Sequence, residues 1–217
     1  MAALPAQLIP RLAGQRVLVI GDVILYEYLF GNATRMSREA PIPVLEFENR
    51  RLIPGVAANP AANIVGLGST AIQTGIIGSD HAAMMLRQVL QAQGIDTHGL
   101  IIDSGRPTTV KMRIMAQMGL RFPQQVARID TLSREPINEG VERRIREVIL
   151  SCIGEVDAIL LSDYHIGLLT PSLVETIRKL AIKNPRHPLL TADAQGTLDK
   201  YTGFALVKCN ADEARAY

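Results

Sequence analysis

The sequence has no tryptophan, two cysteines and 4% aromatic residues. Cys152 and Cys209 sit in apolar segments without metal-ligand spacing, which argues against a disulfide framework and makes a reducing cytoplasm the expected compartment. Charge of one sign is also missing: 23 Lys plus Arg against 21 Asp plus Glu leave +2. With no basic block and no aromatic platform, nothing argues for a nucleic-acid partner. No apolar run approaches the ~20 residues needed to span a bilayer, so a membrane role is not expected. The opening MAALPAQLIP lacks a basic n-region and a long apolar core, which argues against secretion. The four histidines, His81, His98, His165 and His187, include no i,i+4 pair beside a carboxylate base, and a histidine metal site is not expected. Neither a complete Walker A motif nor a Gly-x-Ser-x-Gly elbow occurs. Gly66-Leu67-Gly68-Ser69-Thr70-Ala71 follows a helical pattern and precedes a strand, the reverse of a dinucleotide fingerprint, and reads as a helix stop.

What is present is a chain of 217 residues, 47% hydrophobic and 20% charged, able to bury a core and too apolar to be disordered. Its 17 glycines and 12 prolines punctuate short segments. Val17 to Ile20, Thr70 to Ile77, Asp157 to Leu161, Leu189 to Ala192 and Ala205 to Lys208 are compact apolar runs of the kind buried in a parallel sheet. Helical spacing runs through Ala57 to Val65 and Asp80 to Gln93, with Gly94 placed as a stop. Asn138 is placed to cap a third helix, in which Glu142 and Arg146 have ion-pair spacing; Thr170-Pro171 opens a fourth. The alternation predicts an α/β fold with a mostly parallel central sheet covered by helices. Two stretches break the series. Pro41 to Glu48 mixes apolar and acidic residues, while Val110 to Met118 alternates, with Val110, Met112, Ile114, Ala116 and Met118 on one face and Lys111, Arg113, Met115 and Gln117 on the other. Together with Gln125 to Ile129 they predict a small β lid of antiparallel strands.

Asp22, Asp163, Asp193 and Asn210 each fall at the C-terminal end of a predicted parallel strand, the edge where α/β proteins hold ligands. Oxygen donors there suit sugar hydroxyls or the waters around Mg²⁺, although Asp and Asn also suit turns and helix starts.

Seven segments stand in order along the chain: Val17 to Val23, Ser37-Arg38-Glu39-Ala40-Pro41-Ile42-Pro43-Val44, Pro54 to Asn59, Gly105 to Arg113, Ala127-Arg128-Ile129-Asp130, Leu161 to Tyr164, and Asn210-Ala211-Asp212-Glu213. In these segments the chain resembles the ribokinase-like (PfkB) carbohydrate kinases, and among them the heptose 7-phosphate kinase domains of bifunctional ADP-heptose synthesis proteins. The resemblance covers nearly the whole chain. It implies a three-layer sandwich with a lid at roughly residues 35–53 and 106–130 that also serves as a dimer clasp. It implies sugar-binding roles for Asp22, Asn59 and Asp163, and substrate-phosphate roles for Lys111 and Arg113. Asp193, Asn210 and Glu213 are placed on the nucleotide side, the last two acting indirectly on Mg²⁺. ATP and Mg²⁺ are the implied cofactors, and the reaction is transfer of the γ-phosphoryl group to a sugar hydroxyl.

Five segments depart from the family pattern. Tyr26 stands for a second Asp, Gly55-Val56 for paired glycines, Pro60 for a valine, His165-Ile166 for Gly-Lys, and Asp193-Ala194-Gln195-Gly196 for Asp-Pro-Lys-Gly. Pro60 predicts a helix capped by Asn59. The family's Gly-Ala-Gly-Asp segment, which carries the anion hole and the activating aspartate, has no match in the 217 residues. The expectation is a C-terminally truncated kinase domain, weak or inactive alone. The alternatives are a split kinase completed by a second polypeptide, and a non-catalytic protein that binds sugar phosphate or dimerises.

Overall fold

A computed structural model describes residues 8–119 and 122–217. Two sheets organise the chain. Strands β1 (Arg16–Gly21), β4 (Thr70–Ile77), β5 (Leu100–Ile102), β8 (Ala158–Asp163), β9 (Leu189–Ala194) and β10 (Leu206–Lys208) form the central sheet, ordered β10-β9-β8-β1-β4-β5 and parallel throughout. Strands β2 (Val23–Met36), β3 (Pro43–Val56), β6 (Val110–Gln117) and β7 (Gln124–Thr131) form the second sheet, ordered β3-β2-β6-β7.

The central sheet is apolar on both faces because helices cover both. Leu18 and Ile20 of β1 pack with Ile145 and Ile149 of α3 (Glu139–Cys152) and Leu173 and Ile177 of α4 (Pro171–Lys183). Val19 packs the other way, with Ala58 and Ala61 of α1 (Ala58–Gly66) and Leu86 and Leu90 of α2 (His81–Ala92). A fully buried Leu or Ile side chain contributes ~1.5–3 kcal/mol, and alternation along β1 delivers that gain to two layers. The result is the three-layer sandwich expected from the sequence.

Local chemistry sets the helix ends. Asp80 accepts a hydrogen bond from the Ala83 N–H (2.9 Å), Asn138 from Val141 (3.0 Å) and Thr170 from Leu173 (3.1 Å). α1 stops at Gly66, and Gly68 turns the chain at φ +82° into β4. The expected Glu142 and Arg146 pair is replaced: Glu142 accepts from the Ser172 hydroxyl at 2.9 Å, tying α3 to α4.

Three expectations need correction. The sequence reading left Val23 to Met36 unassigned, yet it is a 14-residue strand. Val17 to Phe30, apolar but for Gly21, Asp22, Glu27 and the tyrosines, is divided between two sheets at Asp22, and local periodicity cannot reveal a change of sheet. The second sheet is not wholly antiparallel: β2 pairs antiparallel with β3 and parallel with β6, and β6 pairs antiparallel with β7. Nor does Asn59 cap α1. Ala57 holds that position without a side-chain bond, and Asn59 and Pro60 lie inside the first turn. Proline is tolerated there because the first four helical N–H groups have no intrahelical acceptor in any case.

Candidate functional site

The chain leaves β1 toward β4 and β5 on one side and returns to β8 on the other, so the strand order reverses at β1. Two side chains stand at that switch point, Asp22 just beyond β1 and Asp163 at the end of β8. Open α/β sheets bind ligands at such a crevice.

Asp22 is 5% exposed, and its Oδ2 accepts the N–H groups of Tyr164 (2.9 Å) and Ile166 (3.2 Å). Its backbone joins the two sheets: the N–H donates to Ser162 O and the carbonyl accepts from Ala57. Burial pushes the carboxyl up to about 6, against the lowering effect of the two N–H groups, and the Asp163 charge adds to the rise. A group so placed can take up or release a proton near neutrality. Asp163, 2% exposed, is fully engaged. It accepts the Tyr201 hydroxyl at 2.6 Å, pairs with Lys200, and takes the His165 N–H at 3.1 Å. Lys200 and Tyr201 carried no sequence signal, because a turn 37 residues away brings them to the end of β8.

The loop after Asp163 and the entry to α1 keep the backbone that glycine favours although glycine is absent. His165 has φ +56° and Val56 has φ +60°. Such φ values are uncommon outside glycine and strained for a β-branched residue. Val56 packs with Ile24 and Ile166, and Tyr26 and Tyr164 lie against this small cluster. The crevice beside Asp22, lined by Val23, Arg106, Thr109, Ser133 and Ile166 among others, has a volume of about 20 Å³. That is space for one water, so any larger ligand would sit above it, toward the second sheet.

The second sheet presents one face in that direction. Tyr26 and Tyr28 of β2 are in register with Lys111 and Arg113 of β6, so the four share a face. The Arg113 guanidinium lies 4.4 Å from the Tyr26 ring centroid and 5.2 Å from that of Tyr28. Lys111 is half-buried beside it. The expected alternation in burial along β6 is absent: its residues are half-buried on both faces except Ala116, because Val110 packs on the α1 and α2 cluster while Arg113 is covered by the tyrosines. Asn59, exposed in the first turn of α1, lies close after Ala57, which bonds to Asp22.

The remaining candidates lie apart. Asp193 pairs with Lys208 at 2.8 Å, which raises the lysine's affinity for its proton through the hydrogen bond and the charge. Asn210 and Glu213 cap α5 (Ala211–Ala216) reciprocally: Asn210 Oδ1 accepts from the Glu213 N–H at 2.8 Å and Glu213 Oε2 from the Asn210 N–H at 2.7 Å. The Asn-x-x-Glu pattern is thus a capping box, with one Glu213 oxygen unspent. A hollow of about 400 Å³ adjoins it, between Gly196 to Asp199 and the Asp212 and Glu213 side of α5. Among the described residues no three His, Cys, Asp or Glu side chains converge as a metal cage. This donor set fits a water-mediated contact to Mg²⁺ from Glu213 and does not fit direct coordination.

Comparison with known proteins identifies the fold and the family. A model of the pfkB family carbohydrate kinases matches residues 15–217. The bifunctional protein HldE of Helicobacter pylori (strain ATCC 700392 / 26695) is 36% identical over 200 residues, covering 92% of this chain and 42% of the relative. The HldE protein of Wolinella succinogenes is 35% identical over 199 residues, with 92% and 41% covered. The chain therefore spans about two fifths of the length of the curated relatives it matches. A carbohydrate kinase from Agrobacterium tumefaciens superposes with TM-score 0.66 at 17% identity, covering 93% of this chain and 62% of that one. Phosphofructokinase-2 from Escherichia coli, in complex with fructose-6-phosphate, gives 0.64 at 16% identity, with 93% and 63% covered. These two likenesses establish the ribokinase-like fold, and with the match across residues 15–217 the chain belongs to the pfkB family of carbohydrate kinases.

Proposed function

We propose that this chain supplies the sugar-binding edge and lid of an ATP-dependent carbohydrate kinase whose acceptor is a sugar phosphate of the heptose 7-phosphate type. The observation that carries the reading is the meeting of a buried carboxylate, Asp22 at the switch point, with a lid face bearing Lys111 and Arg113, across the Tyr26 and Ile166 cluster. Asp22 and Asn59 orient sugar hydroxyls, and Lys111 and Arg113 take the phosphate already on the sugar. Asp163 acts by fixing the end of β8 through Lys200 and Tyr201. Asp193, Asn210 and Glu213 border the nucleotide side. ATP supplies the phosphoryl group there and Mg²⁺ offsets its charge.

Residues 1–217 carry no Gly-Ala-Gly-Asp segment, and in our reading they bind the sugar phosphate without turning it over alone. Among the described strands β10 pairs with β9 alone, which leaves a parallel edge open beside Leu206, 61% exposed. The test is calorimetric titration of the 217-residue chain with heptose 7-phosphate and with unphosphorylated heptose, together with an ATP-dependent kinase assay. Tighter binding of the phosphorylated sugar and no turnover are expected. Equal affinity overturns the substrate assignment, and phosphorylation above an Asp22→Ala, Asn210→Ala control overturns the non-catalytic role.

A further inference from the structure

We infer that Tyr26 is a positioning residue that holds Arg113 as a fixed, unpaired cation and so sets the site's preference for a phosphorylated sugar; this rests on the sugar-phosphate reading above. The starting point is an arginine without a partner. Arg113 Nη1 is fully buried and makes no hydrogen bond, and among the described residues no carboxylate pairs with the guanidinium. Buried polar atoms are nearly always satisfied, and a buried cation left without an acceptor is costly. Two other arginines of the same sheet find acids, Arg50 with Glu27 at 2.7 Å and Arg128 with Asp130 at 3.0 Å, whereas Arg51 lies over the Phe30 ring. Arg113 instead has two aromatic faces, Tyr26 at 4.4 Å and Tyr28 at 5.2 Å. A ring face attracts a cation without accepting its N–H groups in their own plane, so those donors stay unspent, and an anion approaches them on the side away from the buried Nη1.

Tyr26 itself is wedged. Its ring lies over Gly55 so closely that a Cβ there would come within 2.3 Å of Cε2, and it also packs against the Ile24, Val56 and Ile166 cluster. The ring therefore cannot fall back toward β3, and the guanidinium stacked on it is held above the loop that Asp22 anchors through Tyr164 and Ile166. The entropy of ordering a long side chain is spent before the ligand arrives, and Lys111, in register with Tyr26, adds a second positive charge on the same face. The ligand matched by a planar, partly desolvated fork of donors is a phosphomonoester dianion.

The test uses the 217-residue chain as wild type, Arg113→Ala, Tyr26→Leu and Tyr26→Phe, titrated with heptose 7-phosphate and with unphosphorylated heptose. The arginine Nε–H resonances are followed by NMR without ligand. Arg113→Ala and Tyr26→Leu are expected to lower the preference for the phosphorylated sugar by about tenfold, and Tyr26→Phe, which keeps the ring face, to retain it. The Arg113 Nε–H signal is expected to show a ring-current shift in wild type and Tyr26→Phe, lost in Tyr26→Leu. Loss of preference in Arg113→Ala with full retention in Tyr26→Leu overturns the positioning role and leaves the sugar-phosphate reading standing. Absence of the ring-current shift in wild type overturns the stack itself. A wild type that binds neither ligand, or both equally, overturns the sugar-phosphate reading and the selectivity assigned to Tyr26 with it.

Discussion

Asp22 shows how one residue couples the architecture to the charge it carries. Its folded pKa, about 6, lies above the ordinary value of 3.8, so the folded protein holds the proton more tightly than the unfolded chain. The stability this contributes is full below pH 4 and is lost as pH rises through 6, about 3 kcal/mol in all. Asp22→Asn keeps an acceptor for Tyr164 and Ile166 without a charge to desolvate. Urea denaturation from pH 4 to 7 is therefore expected to show the variant gaining on wild type by roughly that amount, and parallel curves would contradict the burial argument. Val56 poses a question of backbone strain. At φ +60° alanine is strained and glycine is not, so Val56→Gly is expected to be more stable than Val56→Ala by about 1 kcal/mol, the reverse of the usual order. Denaturant midpoints for the two variants check it.

Among the elements, α2 depends on one side chain at its start. Asp80 caps the helix through Ala83 and with its other oxygen accepts the Thr108 N–H at 2.8 Å, joining the helix to the segment that leads into β6. Burial opposes its ionisation, but these bonds outweigh it and hold the carboxyl below its usual range. Asp80→Ala is expected to cost about 2 kcal/mol, against about 1 for Asn138→Ala, which removes a cap alone. Equal losses in thermal unfolding would show that the Thr108 link carries nothing. The second sheet is the weaker element, since every residue of β7 is exposed. Its amides are expected to exchange with solvent faster than those of β1, β4 and β8, and hydrogen exchange by mass spectrometry would reveal the opposite order if it held.

The whole molecule is a well-covered parallel sheet carrying a thinly covered second one. Phe47, Met118 and Phe122 of the second sheet and its turns are 69%, 56% and 87% exposed. Exposed apolar surface on a sheet with open edges invites a partner, and a second copy of this chain is the partner expected through the lid. Sedimentation at high micromolar concentration is expected to show a dimer that Phe47→Asp weakens, and a strict monomer would remove the lid from the list of interfaces.

Much of this was legible in the sequence because it is local. Helix starts at Asp80, Asn138 and Thr170, the stop at Gly66 to Gly68, and the central strands other than β5 follow from capping chemistry and periodicity that neighbours within four residues decide; β5, three residues long, is too short to carry a pattern. The polar strand ends Asp22, Asp163, Asp193 and Asn210 could likewise be named from position alone. What each of them does was decided only by the tertiary structure. Asp22 and Asp163 look alike in sequence, yet one accepts two backbone N–H groups and the other a lysine and a tyrosine from a distant turn. Asn210 and Glu213 bond to each other, and Arg113 rests on two rings from a strand that periodicity did not reveal. Local pattern fixes where the backbone bends, whereas burial and partner identity depend on packing between segments far apart in the chain, and those set the charge state and reach of every candidate side chain.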